Sequence, residues 1–103
     1  MVIEQLAFRV AVPDQPRFLA HDSAIWTRVL AAQPGYLGKE VWREADAPDR
    51  LHLIIRWTDR AAWKAVPADL LAQTDAAFVA AMGGACPVLR CLDQDVIGQP
   101  APA

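Results

Sequence analysis

The chain has 103 residues, enough for one domain and no second. Its formal net charge is −2 with acids and bases interspersed, so no basic stripe exists to release counterions from nucleic acid or to grip an anionic membrane. Hydrophobic residues make up 54 % of the sequence and four of them are Trp, more than a small interior hides easily, which points to apolar surface buried against a partner or lining a pocket.

Residues Val2 to Val12 alternate and are rich in Val, Ile, Phe and Leu, the pattern of a first strand. Pro13-Asp14-Gln15-Pro16 breaks it and opens a helix, with Asp14 as the expected N-cap. The helix is predicted from Gln15 to Ala32 on the recurrence of Phe18, Ile25 and Val29, widened by Leu19, Trp26 and Leu30. Asp22 falls inside that apolar stripe, with His21 beside it. Gln33-Pro34-Gly35 ends the helix.

A second strand follows from Tyr36 to Glu44, then a turn over Ala45 to Asp49 and a third strand from Arg50 to Thr58. In the third, Leu51, Leu53, Ile55 and Trp57 face one way and His52, Ile54 and Arg56 the other, so it is expected at the centre of the sheet. Asp59 caps a short helix from Arg60 to Val66, Pro67 starts a longer one to Met82, and Gly83-Gly84 stops it. The last strand is predicted from Pro87 to Ile97. Residues 1–97 form the expected domain, and 98–103 a frayed tail.

The order β-α-β-β-α-β predicts an α+β, ferredoxin-like fold: a four-stranded antiparallel sheet with both helices on one face. The other face is expected to meet a second copy of the chain, as a homodimer. Glu4, Glu40, Arg56 and Arg90 read as ion pairs across that contact, and Trp42 as an apolar contribution to it. The opening Met1-Val2-Ile3-Glu4-Gln5 lacks a basic leader, and no apolar run nears the ~20 residues of a membrane span. Cys86 and Cys91, five apart in what reads as one strand, point to opposite faces and cannot bridge each other. Two free thiols suit a reducing cytoplasm, and no metal cluster, phosphate loop or dinucleotide fingerprint is readable.

Three stretches carry a likeness. They are Gln33-Pro34-Gly35-Tyr36-Leu37, Asp46-Ala47-Pro48-Asp49 and the run Ile55-Arg56-Trp57-Thr58-Asp59-Arg60-Ala61-Ala62-Trp63. In order and spacing the sequence resembles the antibiotic-biosynthesis-monooxygenase-like family of dimeric α+β barrels, over about residues 2 to 97. Gly38-Lys39-Glu40-Val41-Trp42 is similar to an uncharacterised bacterial subgroup common in cyanobacteria. The resemblance implies a pocket between sheet and helices, and chemistry on a planar hydrophobic or aromatic molecule with O₂ and no cofactor. Trp57 matches the family's strand-three Trp, and Gln5 lies near its strand-one Asn. The Glu expected two residues before the Trp is Ile55, and the helix His that some haem-degrading members use falls at about Val66.

Asp22, a carboxylate in an apolar stripe, must be paired, hydrogen-bonded or protonated, and such groups mark candidate sites. A salt bridge to Arg9, Arg43 or Arg56 is the structural alternative. His21 and His52 are the only histidines, and His52 alternates away from Trp57. The expected catalytic group is therefore Asp22 or His21 as base, with Gln5 on the oxyanion. Trp57, Trp26 and Phe78 are the expected substrate-binding residues, although Trp26, Trp63 and Phe78 also read as plain packing. A non-catalytic dimer that binds a small ligand, or haem, is the alternative reading.

Overall fold

A computed structural model of the chain describes residues 1–99. Strands β1 (Val2–Arg9), β2 (Tyr36–Arg43), β3 (Arg50–Trp57) and β4 (Val88–Asp95) form one antiparallel sheet in the order β2-β3-β1-β4. The helices lie between β1 and β2 and between β3 and β4, giving the expected α+β, ferredoxin-like arrangement. Most of the expected tail lies outside the described residues. Among the described residues, no helix is long and apolar enough to cross a membrane.

Strand alternation decides which residues meet the helices. From β1 these are Val2, Glu4, Leu6 and Phe8, paired in register with Trp57, Ile55, Leu53 and Leu51 of β3. On β2 a bulge between Tyr36 and Gly38 resets the alternation. Tyr36 pairs with Trp57 and Lys39 with Ile55, so both share the helix-facing side although they are three residues apart.

Strand one stops at Arg9 rather than Val12, because Pro13 cannot donate to a ladder and Val12–Asp14 turns into a 3₁₀ segment. Asp14 occupies the N-cap position without a side-chain cap bond. The first helical run then covers residues 15–31, but its middle, Asp22–Thr27, is a π-helical segment between two α-helical ones. The short helix, Arg60–Lys64, opens on Asp59, whose carboxylate accepts from the Ala62 N–H at 2.7 Å. The long helix, Ala68–Met82, ends on Gly83 at φ 79°. Cys86 precedes β4 instead of lying in it, so the premise that both thiols share a strand fails; both are nonetheless free.

Two buried clusters make up the core. The first is packed solid around the rings of Phe8, Phe18 and Phe78, with centroids 5.7 and 5.5 Å apart. The second gathers Val2, Leu30, Ile55, Trp57 and Val66. Gly35, in the turn before β2, holds φ 85°, and a Cβ there would collide with the Ala62 Cβ and come within 2.7 Å of Thr58 Oγ1. That close approach seats the helix-to-strand turn against the start of the short helix. Gly35→Ala therefore adds backbone strain to a steric clash, together about 2–4 kcal/mol. Thermal unfolding should show the midpoint falling by roughly 10 °C or more.

Candidate functional site

The second cluster is hollow. A cavity of about 210 Å³ lies between the sheet and the helices. Its floor is the helix-facing side of the sheet, with Glu4, Ile55 and Lys39 in one row across β1, β3 and β2. Leu6, Leu53 and Trp57 flank that row. Trp26 and Leu30 of the first helical run, Trp63 and Val66 around the short helix, and Leu71 of the long helix form the roof. Three of the four Trp thus face one space, which accounts for the sequence's excess of large apolar side chains.

Two polar groups interrupt these apolar walls. Glu4 accepts a hydrogen bond at 3.2 Å from the indole N–H of Trp57, itself fully buried. Burial pushes the Glu4 carboxyl above its ordinary 4.5, while the Trp57 bond, the Lys64 and Lys39 charges and the Trp63 indole pull the other way with less effect. Lys39 is the second group. Its side chain is 3 % exposed, and Nζ donates to Asp22 Oδ2 at 2.7 Å and to Thr27 Oγ1 at 3.1 Å. An ammonium has three donors, so one remains for the cavity.

Asp22 stands behind Lys39 rather than on the cavity wall. Burial raises its pKa more than Lys39 lowers it, and its Oδ1 is buried without a partner. The three arginines considered as its partners are engaged elsewhere: Arg9 with Asp49, Arg43 with Gln15 and Arg56 with Glu40. Asp22 and Trp26 both belong to the π-helical segment, a local departure from α-helix of a kind often found at functional sites.

The structure brings Trp57 and Trp26 together and sets the other expected site residues apart. Gln5 alternates onto the opposite sheet face, where its amide meets His52 Nδ1 at 3.3 Å and His52 Nε2 meets Glu44 at 2.7 Å. It cannot reach an oxyanion held between sheet and helices. His21 lies on the first helical run and does not line the cavity. Phe78 is sealed in the solid cluster against Phe18. Glu4 and Lys39, rather than Gln5 and Asp22, carry the charged groups on the cavity wall. The signal for Glu4 was present, since it alternates with Val2, Leu6 and Phe8, and the logic applied to Asp22 holds for it equally.

The other sheet face carries an exposed Trp42, 48 % accessible, together with the half-buried Ile3 and Leu92 and a buried Ile54. Glu4 faces the helices, so it is not on the face of the expected cross-dimer bridge, whereas Glu40 and Arg56 lie on that face and pair with each other within one chain. Arg60 of the short helix reaches β4, bonding Asp93 at 2.6 Å and Asp95 at 2.9 Å, and so ties the roof of the cavity to the edge of its floor. Among the described residues no group of three or more His, Cys, Asp or Glu could hold a metal ion.

A family model described as antibiotic biosynthesis monooxygenase matches residues 1–66. Solved structures share the fold at low identity. SnoaB, a cofactor-independent oxygenase from Streptomyces nogalater, is 20 % identical with a TM-score of 0.64, covering 99 % of this chain and 97 % of its own. A monooxygenase from the gene ActVA-Orf6 of Streptomyces coelicolor, solved in complex with Nanaomycin D, is 14 % identical with a TM-score of 0.74, covering 99 % and 92 %. A conserved protein from Methanosarcina mazei is 10 % identical with a TM-score of 0.62, covering 91 % and 92 %. No curated protein sequence matches the chain.

Proposed function

We propose, for a chain that belongs to the antibiotic biosynthesis monooxygenase family, that the cavity between sheet and helices binds a small hydroxyaromatic molecule and oxidises it with O₂ without a cofactor. One observation carries this reading: a buried carboxylate and a buried ammonium face the same apolar, indole-walled space. Glu4, its pKa raised by burial, is the general base. A base whose pKa burial raises above that of an ordinary carboxylate takes a proton more effectively. Lys39 stabilises the negative charge that conjugation carries from the deprotonated hydroxyl to an oxygen at the far end of the ring system, in a site where water does not screen it. Asp22 is a positioning residue, holding Lys39 in place.

The steps balance. Glu4 removes the hydroxyl proton, leaving an enolate with an electron-rich ring carbon. O₂ accepts an electron from it and then bonds to that carbon as a peroxide anion, which takes the proton back from Glu4 to become a hydroperoxide. The C–H and O–O bonds at that carbon then break, water leaves with the ring hydrogen, and a carbonyl remains. Each substrate thus consumes one O₂ and releases one H₂O. An oxygen electrode with a dihydroxynaphthalene tests the reading: uptake above the buffer rate, saturable in substrate, supports it. Tight binding with no added uptake would instead establish a non-catalytic carrier.

Haem binding is not supported. Val66, at the family's histidine position, lines the cavity, both histidines lie outside it, and about 210 Å³ is too small for a tetrapyrrole. The free thiols fit a reducing cytoplasm.

The homodimer is part of the same proposal. The exposed Trp42 and the half-buried Ile3 and Leu92 leave apolar surface on the uncovered sheet face, and two such faces related by a two-fold axis would cover each other. Sedimentation should give a mass of two chains. Trp42→Glu, which removes an aromatic anchor and adds a charge, should shift it towards one chain. A loss of about 2 kcal/mol or more corresponds to at least ~30-fold weaker association.

A further inference from the structure

The cavity also limits what can occupy it. We infer that its ligand is a one- or two-ring aromatic compound with a hydroxyl at one end and a hydrogen-bond-accepting oxygen at the other. This deepens the reading above and rests on it for the cavity being the ligand site.

Size sets the first limit. A dry engineered cavity of about 150 Å³ holds benzene. At the ~0.75 packing density of protein interiors, 210 Å³ takes about 160 Å³ of ligand atoms. That is room inside the walls for one ring with substituents or for two fused rings, whereas three fused rings that also carry oxygens would have to project through the open side.

Polarity sets the second. Glu4 and Lys39 lie in one row on the floor with Ile55 between them, so their Cα atoms are two strand spacings apart, roughly 10 Å. The Glu4 oxygen not bonded to Trp57 accepts a proton or hydrogen bond, whereas the spare donor of Lys39 can only give one. The two ends of the floor therefore ask for opposite chemistry. A flat molecule lying over Ile55, under the indoles of Trp26 and Trp63, satisfies both when it presents a hydroxyl to Glu4 and a carbonyl or phenolate oxygen to Lys39. An occupant lacking either group leaves a buried polar atom without a partner, which is where discrimination comes from.

Isothermal titration calorimetry under nitrogen tests this without turnover. A hydroxynaphthaldehyde with its oxygens at opposite ends should bind at least tenfold more tightly than naphthol, naphthaldehyde or naphthalene. It should equally outbind the corresponding hydroxyanthraldehyde. The advantage over naphthol should vanish in the double variant Lys39→Met/Asp22→Asn, which removes both charges together and so leaves no unpaired ion to unfold the chain. The advantage over naphthaldehyde should vanish in Glu4→Leu, which has neither acceptor nor proton. Equal binding of naphthalene, equal or tighter binding of the three-ring compound, or advantages that survive in both variants would overturn the inference. So would the absence of binding by any compound in the series. Selective binding without oxygen uptake would sink the catalytic reading and leave this one standing.

Discussion

Replacing Glu4 by Gln should lower turnover by about a hundred- to ten-thousand-fold while leaving ligand affinity within a few-fold of the parent. The amide keeps the size of the side chain and can still accept from the Trp57 indole at the 3.2 Å position, but it takes no proton. In the parent, kcat/KM should rise with pH as Glu4 ionises, along a limb displaced above the ordinary 4.5 because burial opposes the charge. The limb should disappear in the variant. Stability moves the opposite way. A carboxyl whose pKa is higher in the folded than in the unfolded chain favours folding at low pH, and that contribution fades as pH rises from about 4.5 through the raised value. Glu4→Gln should therefore be more heat-stable than the parent at neutral pH, the trade-off expected when a functional charge is buried at the expense of the fold. Turnover that survived in the variant would remove Glu4 from the base role.

Lys39→Met should destabilise the chain by about 3–5 kcal/mol, because it leaves the Asp22 carboxylate buried with no cation beside it. For a domain whose whole stability is on the order of 5–15 kcal/mol, that is a large share, readable as a lower urea midpoint. Adding Asp22→Asn to the same chain should restore most of the loss, since a buried ion pair replaced at both ends is nearly neutral in stability. Catalysis should not return with it, because the donor for the forming oxyanion is gone. Equal stability of the single and double variants would show that the pair is solvated rather than buried. Asp22→Asn alone should weaken turnover less than Glu4→Gln, because Asp22 acts through the placement of Lys39.

The candidate site was only half legible in the sequence. Asp22 stood out because a charge within a helical apolar stripe breaks a local pattern. Trp57 is found through the family likeness and Trp26 through the apolar stripe of the first helix, and both line the cavity. Gln5 was selected by likeness alone, and strand alternation, which flips neighbouring residues to opposite faces, placed Glu4 in the site and Gln5 out of it. Phe78 carries the same periodic signal as any cavity-wall residue. Nothing in a stripe of apolar spacing says whether the space it faces is filled, and here Phe18 fills it.

Local patterns determined the elements and their order by themselves. Alternation in β1 and β3, the apolar stripes of the helices, and the stop signals at Gly35 and Gly83 are short-range, and together they require a sheet with helices on one face. The tertiary structure alone decided the chemistry. Glu4 and Lys39, 35 residues apart in the chain, become neighbours of Ile55 only through the register of three strands and the bulge before Lys39. The ion pair to Asp22 further requires the first helical run to pack over β2. Register and packing arise from contacts between distant segments, whereas periodicity is a property of each segment alone, so the sequence could announce a buried acid without naming the partner that holds it.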